Sequence, residues 1–236
     1  ALRIKGNQRR FTPSSTYPEI MNCPLCDTQA NIFTSGENRE YQLCNACGLI
    51  FVPPEFHVPA ESEIARYREH QNSLDNKGYV EMFMKKIVLV NKYCPRVKTA
   101  LDFGCGYEPV LKALLEKEGI KTDVFDSNFF PNFPKNKTFD LVISTETFEH
   151  FKNPIKDIRQ AASCVSPKGF LAVMTRFYPL EKEILCEENF SKWYYKRDPT
   201  HIAFYTSKTF EWLAKEMGFK IIYNNQFDFV LLQNLI

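Results

Sequence analysis

Two Cys-x2-Cys pairs, Cys23-Pro-Leu-Cys26 and Cys44-Asn-Ala-Cys47, constrain this chain more than any other feature. Two residues between thiolates let one tight turn present both sulfurs to a single ion. Two such turns complete a tetrahedral site of the kind that holds Zn²⁺. The 17 residues between the pairs suffice for a small hairpin. So small a segment buries little core, so the metal would supply much of its folding energy. Cys23, Cys26, Cys44 and Cys47 are therefore expected to hold a structural zinc. Four protein ligands leave no open position for catalysis. An iron site of similar spacing and four unrelated core cysteines are the alternatives. Cys94, Cys105, Cys164 and Cys186 have no partner spacing and read as buried or incidental. No charged, apolar leader opens the sequence, so eight cysteines point to a reducing, cytoplasmic setting rather than a disulfide scaffold.

The balance of 30 Lys and Arg against 28 Asp and Glu gives a net charge of +2. That disfavours a nucleic-acid partner gripped mainly through phosphates, without excluding one. A hydrophobic share of 44% suits a globular chain. No stretch approaches the roughly 18 apolar residues of a membrane span.

Residues 1–22 read as a flexible tail, with Arg3, Lys5, Arg9 and Arg10 against Glu19. Residues 23–52 form the cysteine module and 53–79 a polar, proline-marked connector with room for one short helix. From residue 80 the pattern is α/β. Val80, Phe83, Ile87 and Val90 mark a helix that Cys94-Pro95 stops. Strands are expected at 97–103, 121–126, 138–144 and 170–175. Helices are expected after Pro109, ended by Gly119, after Asn153-Pro154, and at 210–217, ended by Gly218. Segments 219–223 and 227–232 read as a terminal hairpin around Asn224-Asn225-Gln226. Strands alternating with helices imply a mostly parallel, doubly wound sheet.

Asp102-Phe-Gly104-Cys105-Gly106 follows a strand and precedes a helix. Gly104 and Gly106 permit a tight turn and close approach of a ligand to the backbone. The dinucleotide pattern G-x-G-x-x-G fails at its last position, which is Pro109. Asp102 repels a pyrophosphate but suits a cationic group. Asp126 ends the next strand, where an acid can take two ribose hydroxyls. A nucleoside that lacks phosphates and carries positive charge fits both acids, as S-adenosylmethionine (SAM) does.

Leu101-Asp-Phe-Gly-Cys-Gly106, Val124-Phe-Asp126, Phe139-Asp-Leu-Val-Ile143, Thr145-Glu-Thr-Phe-Glu-His150 and Ser166-Pro-Lys-Gly-Phe-Leu171 resemble successive motifs of the class I SAM-dependent methyltransferases. The similarity covers roughly residues 97–236, and the cysteine module resembles the zinc-ribbon-like domain of some members. The resemblance implies a Rossmann-like, mostly parallel seven-stranded sheet whose last strand is antiparallel. It implies that Asp102, Gly104, Cys105 and Gly106 line the methionine end of SAM, and that Asp126 and Ser127 meet its ribose. Thr145 and Glu146 would border the transferring methyl. Two departures stand out: Glu108 occupies a position where many members have glycine, and 127–137 is short and rich in Phe and Pro.

Residues 190–212 hold both tryptophans, with Tyr194, Tyr195 and His201 among them. They read either as an aromatic cover on a core edge or as a substrate pocket. In the second reading His201 is a general base or substrate anchor, and Tyr194 or Tyr195 orients a polar acceptor. Glu149-His150 reads as structural at the start of the next helix, and Arg176 as a surface ion pair or a contact for an acidic substrate. The function expected is methyl transfer to a small molecule, such as a sugar or cyclic metabolite, with Glu146, Tyr195 and His201 at the reacting end. The alternatives are an RNA or protein methyltransferase and a non-catalytic binding protein of the same fold.

Overall fold

In the computed structural model the described residues are 21–69, 73–181 and 184–236. The expected tail thus lies outside them, except for Met21 and Asn22. Between the cysteine pairs, β1 (Asn31–Gly36) and β2 (Arg39–Leu43) form the foreseen hairpin. Glu37 and Asn38 at its turn both have positive φ, the conformation that two-residue hairpin loops favour. The second cysteine pair leads into β3 (Ile50–Phe51). The connector holds α1 (Ala60–Glu69) and the start of α2 (Lys77–Tyr93). The Asn76 side chain caps α2 by accepting the Tyr79 N–H at 3.2 Å.

The rest alternates strand and helix: β4 (Thr99–Phe103), α3 (Val110–Lys117), β5 (Lys121–Phe125), β6 (Phe139–Thr145), α4 (Pro154–Ser163) and β7 (Val165–Met174). A crossing segment follows, with β8 (Leu180–Glu181), β9 (Ile184–Leu185), α5 (Glu187–Lys192) and β10 (Ala203–Phe204). The chain then forms α6 (Ser207–Met217) and the hairpin β11 (Phe219–Asn224) and β12 (Phe229–Asn234). Gly218 ends α6 with φ +71°, where a Cβ would be strained.

The central sheet runs β11-β12-β7-β6-β4-β5. Its core strands are parallel, and β12 is antiparallel to both neighbours. This corrects the expected seven strands: among the described residues the sheet has six. Residues 127–137, where another edge strand was expected, make only the bridge between Asp126 and Phe130. Pro131 and Pro134 there cannot donate ladder hydrogen bonds.

Strand alternation divides the core in two. Ala100, Leu141, Ile143, Ala172 and Leu231 face α2 and α3, meeting Phe83, Ile87, Val90, Leu111 and Leu115. Leu101, Val142, Leu171, Val173 and Val230 face α4 and α6, meeting Ile158, Ala161, Phe210 and Leu213. Cys23, Leu25, Cys44, Cys47 and Leu49 belong to this second cluster, so the cysteine segment shares a core with the α/β part. A second sheet runs β1-β2-β3-β10 and joins the hairpin to the crossing segment.

Leu231 lies on the strand paired on both edges, and none of it is exposed. Leu231→Ala should cost about 2–5 kcal/mol of stability, read from urea denaturation followed by far-UV circular dichroism. A loss below about 1 kcal/mol would contradict close packing there.

Candidate active site

The chain leaves β4 through α3 to β5 on one side, and returns to place β6 on the other. Loops at the carboxyl ends of these strands therefore diverge and open a crevice. A cavity of about 690 Å³ occupies it. Asp102, Gly104, Cys105 and Gly106 line one wall, with Asp126 and Ser127 beside them. Thr145, Glu146, Tyr195 and His201 line the same cavity, so the fold brings together every residue expected to meet SAM or its acceptor.

Gly104 has φ +82°, and a Cβ there would lie 2.2 Å from the Thr147 methyl. Only glycine fits. The Gly104 N–H donates to the Phe125 carbonyl at 2.7 Å, which ties the turn to β5. Asp126 accepts the Gly106 N–H at 3.0 Å through Oδ2, and those of Asn128 and Phe129 through Oδ1. Its carboxylate is thus held by backbone while Oδ2 keeps a lone pair for another donor. Glu108 does not cap α3 with its side chain; its carbonyl accepts the Val110 N–H at 2.8 Å.

Asp102 is 1% exposed, and its Oδ1 has no hydrogen-bond partner. Burial, and then the charge of Asp126, raise its pKa to about 7. A buried carboxylate without a partner is costly. A cation in the cavity would relieve that cost.

Glu146 has φ 50° at the end of β6 and opens onto the cavity. Such backbone is unfavourable for a residue with a Cβ and is found most often at functional sites. The Tyr195 hydroxyl lies 2.5 Å from Glu149 Oε1 and 3.1 Å from Glu146 Oε2. It has one proton for two carboxylates. Burial holds both carboxyls above the usual range, and their mutual repulsion adds to the effect on Glu146. His201 Nδ1 lies 2.7 Å from the Tyr195 carbonyl, and burial, then His150, lowers its pKa to about 3. The ring is therefore neutral at pH 7, and its weak basicity limits the general-base role expected of it.

The aromatic segment divides between the two readings. Phe190 and Phe204 are core: Phe190 meets Tyr41 edge to face at 5.2 Å. Tyr194 and Tyr195 face the cavity. Arg176 also lines the cavity, stacked at 4.0 Å over Phe227.

Three features of the site were not foreseen. The connector helices supply Glu63, Tyr67, Tyr79 and Phe83 to the cavity wall, and Tyr67 packs on His150 at 5.0 Å. Aromatics at helical spacing were the available signal. The neighbours Glu149 and His150 sit in a short 3-10 turn beside His201 rather than serving only to start α4. The third is Arg39, 6% exposed on β2. Its Nε–H donates to Tyr41 Oη, and its other four N–H groups reach the carbonyls of Lys196, Asp198, Pro199 and His201. All five donors of the guanidinium are used, and four of them hold the loop that carries Tyr195 and His201.

In the cysteine segment, Cys23 and Cys47 Sγ lie 3.6 Å apart, and Cys26 and Cys44 Sγ 3.3 Å. All four sulfurs lie within 4.8 Å of one another. Tetrahedral zinc with bonds of about 2.3 Å needs sulfurs roughly 3.8 Å apart, so the set fits such an ion.

A family model described as a methyltransferase domain matches residues 70–224. An O-methyltransferase family protein from Burkholderia thailandensis shares 16% identity with a TM-score of 0.53, over 74% of this chain and 62% of that one. LaPhzM shares 18% identity with a TM-score of 0.52, over 76% of this chain and 63% of its own. These likenesses concern the fold, and this chain spans less than two thirds of either protein. Among curated protein sequences there is no match.

Arg39→Lys keeps the charge but offers at most three donors from a flexible stem. It should cost about 1–3 kcal/mol and raise amide hydrogen exchange at 196–201. Unchanged exchange there would show that the guanidinium does not hold the loop.

Proposed function

Because this chain belongs to the SAM-dependent methyltransferases, we propose that it methylates a small polar acceptor bound in the same cavity as SAM. The observation that carries the reading is Asp102, a buried carboxylate with an orphaned oxygen in the lining of that cavity. Asp102 meets the cationic methionine end, and Gly104, Cys105 and Gly106 let the backbone approach it. Asp126 and Ser127 take the ribose. When bound, SAM supplies an electrophilic methyl on a sulfonium.

On the acceptor side, Thr145 and Glu146 border the methyl, and the Tyr195 hydroxyl orients the nucleophile. His201 presents Nε2, since its Nδ1 is engaged by the Tyr195 carbonyl. Much of the rate would come from holding donor and acceptor in line. The α1 and α2 side chains roof the cavity, which favours a sugar or cyclic metabolite over a macromolecule.

Segment 23–52 acts as a module folded on one zinc held by Cys23, Cys26, Cys44 and Cys47, and residues 80–236 form the catalytic domain. No helix among the described residues is long and apolar enough to cross a membrane. Free cysteines throughout suit a cytoplasmic setting.

The pKa of about 7 at Asp102 lies above the ordinary aspartate value of 3.8. Between about pH 4 and 7 the empty protein binds a proton that the unfolded chain has already lost. This contribution to stability is full at low pH and falls as pH rises from about 4 to about 7. A bound cation favours the ionised form, so SAM binding should release a proton near neutrality and tighten as pH rises through about 7. Calorimetry in buffers of different ionisation heat measures this. Asp102→Asn should bind SAM at least about tenfold more weakly and lose the proton release. SAM binding that is absent, or unaffected by Asp102→Asn, would defeat the reading. Elemental analysis should find one zinc per chain, and its removal should melt the 23–52 hairpin. Zero zinc, or iron in its place, would refute the module.

A further inference from the structure

Behind the acceptor end lies a second cluster of metal-binding groups. One ligand atom from each of Glu149, His150 and His201 lies within 4.8 Å of the others. His150 Nδ1 meets the Thr200 carbonyl at 3.0 Å, and His201 Nδ1 meets the Tyr195 carbonyl at 2.7 Å. A carbonyl only accepts, so both Nδ1 atoms carry the proton and both Nε2 atoms keep a lone pair. Metal-bound histidines are held by this arrangement. Nε2 of His150 lies 4.0 Å from Glu149 Oε1.

Glu149 supplies an independent observation. No part of it is exposed, and its Oε2 has no hydrogen-bond partner. A buried carboxylate with one spare oxygen, whose other oxygen lies 4.0 Å from an imidazole Nε2, is a donor set in search of a cation.

We propose that Glu149, His150 and His201 bind a divalent first-row transition metal ion at the acceptor end of the cavity. Two imidazoles and one carboxylate suit Zn²⁺, Fe²⁺, Co²⁺ or Mn²⁺ and leave positions open. His150 and His201 line the cavity, so an open position faces the acceptor. Bonds of about 2.0–2.2 Å require donors up to 4.8 Å apart to draw together by up to about 1.5 Å. The ligand for the open position is an acceptor oxygen.

This use of the ion rests on the methyl-transfer reading. A hydroxyl bound to the ion loses its proton to water more readily. Its oxygen lone pair then forms the bond to the methyl carbon as the carbon–sulfur bond breaks, its electron pair remaining on the now neutral sulfur. His201 then serves as a ligand through Nε2, its Nδ1 being held by the Tyr195 carbonyl.

Full-length protein with its cysteine quartet loaded with zinc should be titrated with Mn²⁺, which favours oxygen and nitrogen donors over thiolates. One Mn²⁺ per chain should bind, and pulsed electron paramagnetic resonance should show coupling to two imidazole nitrogens. Glu149→Gln and His201→Ala should each weaken Mn²⁺ by about tenfold or more. The nitrogen couplings are read on the wild-type protein and do not depend on the variants folding. Absence of stoichiometric Mn²⁺, or bound Mn²⁺ without nitrogen coupling, would overturn the site. Calorimetry with SAM on the same samples separates the two claims, because failure to bind SAM would sink the methyl-transfer reading and leave the metal measurement standing.

Discussion

The reversal of strand order between β4 and β6 is the constraint on which the rest depends. It makes the loops after these strands part company, and the gap between them is where a ligand can enter a sheet otherwise covered on both faces. The Gly104 turn, the end of β5 with Asp126 and the end of β6 with Glu146 all border that gap. Their chemistry is divided along it. Asp102 and Asp126 lie at one side, and the Glu146, Tyr195 and His201 group at the other.

The second dependence is between the cysteine segment and the loop of Tyr195 and His201. The strand pair β3–β10, the Arg39 guanidinium and the aromatic cluster around Phe190 all cross from one to the other. The Tyr178 hydroxyl adds a bond to the Gly48 carbonyl at 2.8 Å, next to the second cysteine pair. The cysteine hairpin thus acts as the wall against which the loop of Tyr195 and His201 is set.

Much of this was legible in the sequence because it rests on local rules. Short, nearly continuous buried runs place β4 and β6, Asn153-Pro154 starts α4, and Gly218 ends α6, each through a constraint that spans a few residues. Asp102 and Gly104 were legible because a glycine turn after a strand has few other uses. The missing edge strand was hinted at by Pro131 and Pro134 but not decided by them. What stayed hidden depends on contacts distant in sequence. Arg39 binds backbone carbonyls, which no pattern of side chains encodes. Glu149 and His150 gain their meaning from His201, which arrives from another loop. The connector looked polar because α1 has no fully buried residue, yet it contributes to the cavity roof.

The bond from Arg39 to the His201 carbonyl spans 162 residues. Closing so long a loop carries an entropic cost that only cooperative contacts repay, and long-range pairing of this kind slows folding. During synthesis the hairpin emerges long before its partner loop. Its β3 edge then has no β10 to pair with until Ala203–Phe204 have been made. The loop of Tyr195 and His201 must therefore take shape well after the hairpin that holds it.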